Sequence, residues 1–139
     1  MKKKKILILC TGNSCRSQMA EGILRHLGGD TFEVYSAGVN PTAVNPLSVI
    51  AMKEINIDIS SHGSKSTNEF LGKKFDHVIT VCDNAKQACP SFPGKYKKLH
   101  WDLEDPADAQ GSIEERMVFF RKIRDQIKDR ASEFVESEG

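Results

Sequence analysis

The chain has 139 residues, of which 39% are hydrophobic and 28% charged, and it carries a formal net charge of +1. These values describe one globular domain over residues 1–139, able to bury roughly two-thirds of its unfolded surface without staples. They exclude a disordered chain and give no general attraction to nucleic acid or membrane, so a ligand must be bound locally.

Lys2-Lys3-Lys4-Lys5 reads as a solvated lead-in, and the apolar run Ile6 to Leu9 is too short for the signal-peptide core of about 7–15 residues. No stretch approaches the roughly 20 apolar residues of a membrane span. A cytoplasmic monomer with no membrane or nucleic-acid partner is expected. The run Ile6 to Leu9, apolar throughout, predicts a first strand buried on both faces. Met19, Ala20, Ile23, Leu24 and Leu27 share one helical face, and Gly28-Gly29 ends that helix. Thr31 to Ser36 alternates and is rich in strand formers. Asn45 as N-cap with Pro46 behind it starts a helix through Leu47, Ile50, Ala51 and Ile55. Asp76 to Val81 predicts a third strand, 84–89 a short weak helix, and Lys98 to Trp101 a fourth strand. Ser112-x-x-Glu115 is a capping box, and Ile113, Met117, Phe120, Ile123, Ile127 and Phe134 line one face of a long final helix. Trp101, Phe119 and Phe120 read as core aromatics.

This alternation predicts an α/β fold, a four-stranded parallel sheet flanked by helices with right-handed crossovers. Such sheets bind ligands beyond the carboxyl ends of their strands. Cys10, Cys82 and the segment after Trp101 all fall at such ends, so three stretches converge on one crevice.

The cysteine spacings, Cys10-x4-Cys15 and Cys82-x6-Cys89, miss the C-x2-C pairs of zinc sites and do not form a disulfide scaffold. His26, His62, His77 and His100 are scattered without ligand spacing, so neither metal nor cofactor is expected. Cytosolic cysteines that matter are more often catalytic or redox-active.

The stretch Cys10-Thr11-Gly12-Asn13-Ser14-Cys15-Arg16-Ser17 lies between the first strand and the first helix. A loop wrapping into a helix N-terminus aims backbone N–H groups inward, and the helix dipole adds partial positive charge. Gly12 is expected to take a backbone angle that a side chain forbids. Arg16 offers planar, bidentate donors to two oxygens of a tetrahedral anion. The same field is expected to lower the Cys10 pKa, making it a nucleophile, with Ser17 donating to its thiolate. Cys15 reads as a packing residue.

Cys82 and Cys89 stand seven residues apart, about 10.5 Å if the segment is helical, whereas a disulfide needs Cα atoms within about 7 Å. A Cys82–Cys89 bond therefore requires that helix to unwind, and its shortness, weak apolar stripe and terminal Pro90 allow this.

The Cys10 loop, together with Asp105-Pro106, resembles the low-molecular-weight tyrosine phosphatases, in which the Asp of Asp-Pro protonates the leaving group. The second cysteine pair narrows this. The loop continued through Gln18-Met19-Ala20-Glu21-Gly22, with Tyr35-Ser36-Ala37-Gly38, Asn45-Pro46, Ile57-Asp58-Ile59-Ser60 and His100-Trp101 leading to Asp105-Pro106-Ala107, resembles the thioredoxin-coupled arsenate reductases.

That resemblance implies a relay. Cys10 attacks arsenate, for which phosphate or sulfate are analogues, held by Thr11 to Ser17 with Arg16, while Asp105 assists the leaving group. A Cys10–Cys82 disulfide forms as arsenite leaves, then a Cys82–Cys89 disulfide, which thioredoxin reduces. Asn13 holds the loop's shape. In some relatives an acidic residue at the position of Lys65 joins Asn13, Glu21 and Ser36 around a monovalent cation; here a lysine is expected to supply the positive charge. Relatives commonly have Gly-Phe-Asp where this chain has Asp102-Leu103-Glu104, which adds charge near Asp105. The competing readings are a phosphatase, or weak phosphatase side activity, and a phosphocysteine carrier. A phosphatase has no use for Cys89, and a carrier needs neither Arg16 nor a resolving pair.

Overall fold

A computed structural model describes residues 3–138; Lys2 of the lysine lead-in lies outside them. Strands β1 (Lys4–Cys10), β2 (Phe32–Gly38), β3 (His77–Thr80) and β4 (Lys97–His100) alternate with helices α1 (Arg16–Gly28), α2 (Pro46–Lys53), α3 (Asp83–Ala88) and α4 (Ile113–Glu138). The sheet order is β2-β1-β3-β4 and every pairing is parallel. The α/β class, the four parallel strands and the flanking helices agree with the sequence reading.

Register brings the functional ends to one edge. Cys10 pairs with Gly38 and Leu9 with Thr80, while Thr80 pairs with His100. Beyond the ladders, Val81 N–H donates to Leu9 O at 3.0 Å and Trp101 N–H to Thr80 O at 2.8 Å. The chain therefore leaves three strands at one level, beside Cys10.

The helices form where local signals place them. Asn45 Oδ1 accepts from Leu47 N–H at 2.9 Å ahead of Pro46. Ser112 Oγ accepts from Glu115 N–H at 3.1 Å, and Glu115 Oε1 accepts from Ser112 N–H at 3.3 Å. Met117, Phe120, Ile123, Ile127, Ala131 and Phe134 of α4 are buried, each large side chain contributing about 1.5–3 kcal/mol. Phe134 packs on Phe32, His77 and Trp101. Alternation along β2 puts Tyr35 on the other side, against Phe70 and Phe75.

Four expected core positions are exposed: Leu27, Ile50, Ile113 and Phe119. Phe119 sits about 100° around α4 from buried Phe120, which turns it to solvent; Ile113 and Leu27 lie in terminal turns, where the neighbouring layer no longer covers them. Two 3-10 turns, Thr67–Phe70 and Pro106–Asp108, were not expected. The first carries its own capping box, Ser66 with Glu69, a signal present in the sequence.

Candidate active site

The loop after β1 is shaped by what binds its carbonyl groups. Cys10 O accepts from Val39 N–H at 3.1 Å, Thr11 O from Asn40 at 2.9 Å, Gly12 O from Thr42 at 3.0 Å and Ser14 O from Asn45 at 3.1 Å. Asn13 O accepts from Ser64 Oγ at 2.7 Å and Gln18 Nε2 at 3.1 Å. In a trans peptide the next residue's N–H points opposite to the carbonyl. With five successive carbonyls engaged on the outside, the N–H groups of residues 11–15 turn to the inside, where Asn13 N–H donates to Cys10 Sγ at 3.0 Å. The segment 39–45 that enforces this is a contribution sequence reasoning missed.

The left-handed residue of the loop is Asn13, with φ of 50°, whereas Gly12 is not in that region. This corrects the expectation for Gly12; asparagine visits this conformation more readily than most residues. The indispensable glycine is Gly38, where a Cβ would stand 2.5 Å from Thr11 O and 2.8 Å from Asn13 N. Its bare Cα lets the loop lie against the end of β2.

Cys10 is buried, with Ser17 Oγ 2.8 Å from its sulfur. Burial pushes the Cys10 thiol up, the hydrogen bonds from Ser17 and the Asn13 amide pull it down, and the nearby Cys82 adds a further upward push. The expected lowering is thus corrected: desolvation of a thiolate outweighs its donors. Cys15 stands at the N-terminal boundary of α1 without a side-chain cap hydrogen bond; it is buried in the core, and burial raises its thiol too.

Cys82 and Thr11 meet at the rim, with Cys82 Sγ 3.3 Å from Thr11 Oγ1. Cys82 also N-caps α3, accepting from Ala85 N–H at 3.3 Å. Half-buried Cys89 stands at the other end of α3, its thiol raised by burial and drawn back by Lys98. Arg16 donates to Leu103 O at 3.0 Å and Val81 O at 3.5 Å, and lies 3.5 Å from Asp105 Oδ2. Asp105 itself caps the Pro106–Asp108 turn through Ala107 N–H at 3.0 Å. Asp102 and Glu104 are exposed, so their charge faces solvent. The structure therefore gathers Cys10, Thr11 to Ser17, Cys82 and Asp105, and holds Cys89 one helix away.

A family model described as low molecular weight phosphotyrosine protein phosphatase matches residues 5–138. The chain belongs to that family. Over 137 residues it is 48% identical to an arsenate reductase of Halalkalibacterium halodurans, covering 99% of each. A solved structure described as an arsenate reductase in the phosphate binding state is 31% identical, with a TM-score of 0.80 and coverage of 98% of this chain and 99% of that one. A thioredoxin-dependent arsenate reductase of Corynebacterium glutamicum is 29% identical, with a TM-score of 0.76, covering 97% of this chain and 61% of the other. The resemblance read from the sequence holds on both counts, phosphatase fold and arsenate reductase relatives.

Behind the loop, this family member surrounds a buried carboxylate. Glu21 Oε1 accepts from Ser36 Oγ at 2.6 Å, and Glu21 lies 2.8 Å from Arg25, 3.4 Å from His62 and 3.8 Å from Lys65. A monovalent cation does not fit this set, because Arg25 and Lys65 already bring positive charge to the carboxylate. Burial lowers the His62 pKa, with Glu21 opposing it. In the sequence His62 is an isolated side chain, and its spacing from Gln18 and Glu21 carries no signal.

Proposed function

We propose that this chain is an arsenate reductase working through a three-thiol relay. The observation that carries the reading is the Cys82 sulfur 3.3 Å from Thr11 Oγ1, placing a second thiol at the rim of the Cys10 cradle. A hydrolase with this loop needs one cysteine. The full-length relatives named arsenate reductase support the same reading.

Arsenate is a tetrahedral oxyanion that the inward N–H groups of residues 11–15 and the Arg16 guanidinium are suited to hold. Cys10 thiolate attacks arsenic; an S–As bond forms and an oxygen leaves as water, with a proton from Asp105. Cys82 thiolate then attacks Cys10 Sγ. The S–S bond forms, the S–As bond breaks, and its electron pair stays with arsenic, which leaves as arsenite. Cys89 attacks Cys82, releasing Cys10 and leaving a Cys82–Cys89 disulfide. The dithiol of thioredoxin reduces that bond, which suits a cytoplasmic setting where thiols stay reduced.

Thiol counting tests this. One equivalent of arsenate removes two thiols, and peptide mapping finds the Cys82–Cys89 bridge. An unchanged count overturns the relay. A second reading, phosphoester hydrolysis, is favoured by the family match and by the pairing of Arg16 with Asp105 at 3.5 Å. It is expected as a weak side activity, since the cradle accepts phosphate by the same geometry.

A further inference from the structure

A Cys10 thiolate needs Ser17 as a donor, yet a hydroxyl can as readily accept from a thiol, and the 2.8 Å separation of Ser17 Oγ and Cys10 Sγ does not decide which. The decision is made deeper in the protein. Asn13, Ser17, Gln18 and Ser36 are fully buried. Asn13 Oδ1 faces two donors, Gln18 Nε2 at 2.9 Å and Lys65 N–H at 2.9 Å. Its Nδ2 therefore faces the two serines and donates to Ser17 Oγ at 2.8 Å and Ser36 Oγ at 2.9 Å. Each serine, having accepted, has one proton left to give. Ser36 gives it to Glu21 Oε1 at 2.6 Å, and Ser17 gives it to Cys10 Sγ at 2.8 Å.

The orientation of Gln18 is fixed in turn by acceptors. Its Nε2 meets three oxygens and, among the described residues, no donor: Asn13 O at 3.1 Å, Asn13 Oδ1 at 2.9 Å and Gly63 O at 3.0 Å. Its Oε1 meets His62 Nδ1 at 2.9 Å, which therefore carries a proton. A flipped carboxamide would press oxygen against three oxygens around a fully buried side chain. Gln18 also grips Asn13 by both its main-chain and side-chain oxygens, holding the loop's one left-handed residue.

We propose that Gln18 is a positioning residue for the nucleophile: its buried carboxamide sets the direction of the hydrogen bonds Gln18 to Asn13 to Ser17 to Cys10, so that Ser17 points its proton at the sulfur. The proposal deepens the reading of Cys10 as the attacking thiol and rests on it. Gln18 touches no reacting atom and acts through Asn13 and Ser17.

The test is peptide-resolved alkylation by iodoacetamide across pH, in the full chain, for Gln18→Met and for the isosteric Gln18→Glu, each also made on Ser17→Ala. Circular dichroism establishes folding, and Gln18→Glu carries the test if Gln18→Met does not fold. In the single variants the midpoint for Cys10 rises by about one pH unit, roughly a tenfold slower reaction at neutral pH. The midpoint for Cys89 in the same samples stays where it was. On Ser17→Ala the same substitution adds no such shift beyond a direct charge effect for glutamate, which the double-mutant cycle subtracts. Superimposable Cys10 curves, an equal shift at Cys89, or an undiminished shift on Ser17→Ala each overturn the proposal. The readout needs no arsenate, so loss of the reductase reading by thiol counting is a separate result.

Discussion

Cys82 Sγ and Thr11 Oγ1 lie 3.3 Å apart, which joins the residue after the nucleophile to the thiol that must act second. A hydroxyl donor beside a sulfur stabilises its thiolate. Thr11→Val keeps the shape and removes that donor. We expect arsenate-dependent turnover to fall about tenfold, the worth of one hydrogen bond to a charged group. Hydrolysis of a small phosphoester, which does not involve Cys82, stays within about twofold. Equal losses in both assays would contradict this division of labour.

Cys82→Ser separates the two chemistries more sharply. Steady-state oxidation of thioredoxin by arsenate disappears, because arsenite cannot be expelled by an alcohol, while phosphoester hydrolysis persists. Sustained reductase turnover in this variant would remove the relay.

Helix α3 stands between the resolving thiols, with Cys82 as its N-cap and Cys89 as its C-cap. A helix keeps these Cα atoms about 10.5 Å apart, beyond the reach of a disulfide. The oxidised protein with the Cys82–Cys89 bridge is therefore expected to lose amide exchange protection across 83–88 relative to the reduced protein. Unchanged protection in a sample whose bridge is mapped would show that the thiols meet by another route.

Gly38→Ala places a methyl group 2.5 Å from Thr11 O, a backbone atom that cannot swing aside. The loop or the end of β2 must shift. A loss of about 3 kcal/mol in urea unfolding is expected, together with a drop in Cys10-dependent activity. A variant of unchanged stability would mean that the loop does not rest on β2 as described.

Burial raises the thiols of Cys10 and Cys15 above their ordinary 9.0, so the folded state resists their ionisation. The unfolded chain ionises them near that ordinary value and gains relative stability there. The contribution is therefore present in full below pH 9 and is lost as pH rises through the raised values. Melting followed by circular dichroism should show a midpoint that falls as pH rises past the ordinary 9.0 of the thiols. Cys15→Ala should show a shallower fall; an identical slope would assign the alkaline loss to other groups.

What the amino-acid order determined is what neighbours in sequence can encode. The apolar run of β1, the cap pairs Asn45-Pro46 and Ser112 with Glu115, and the Cys10 to Ser17 stretch at a strand-to-helix junction all rest on local period and local hydrogen bonding, and these were legible. The approach of Cys82 and Asp105 to the loop after Cys10, at Thr11 and Arg16, was legible too, because a parallel sheet collects its strand ends at one edge.

Tertiary structure alone decided how the loop is held and how its thiol behaves. Segment 39–45 and Ser64 occupy its carbonyls, Gly38 makes room for it, and Gln18 with His62 supports Asn13. These partners come from separate stretches, and no periodicity links them. The Cys10 thiol was expected to be lowered and is raised, because solvation depends on the atoms that surround a group in space. A linear pattern records which donors a loop owns; only the folded core records how much water it has lost.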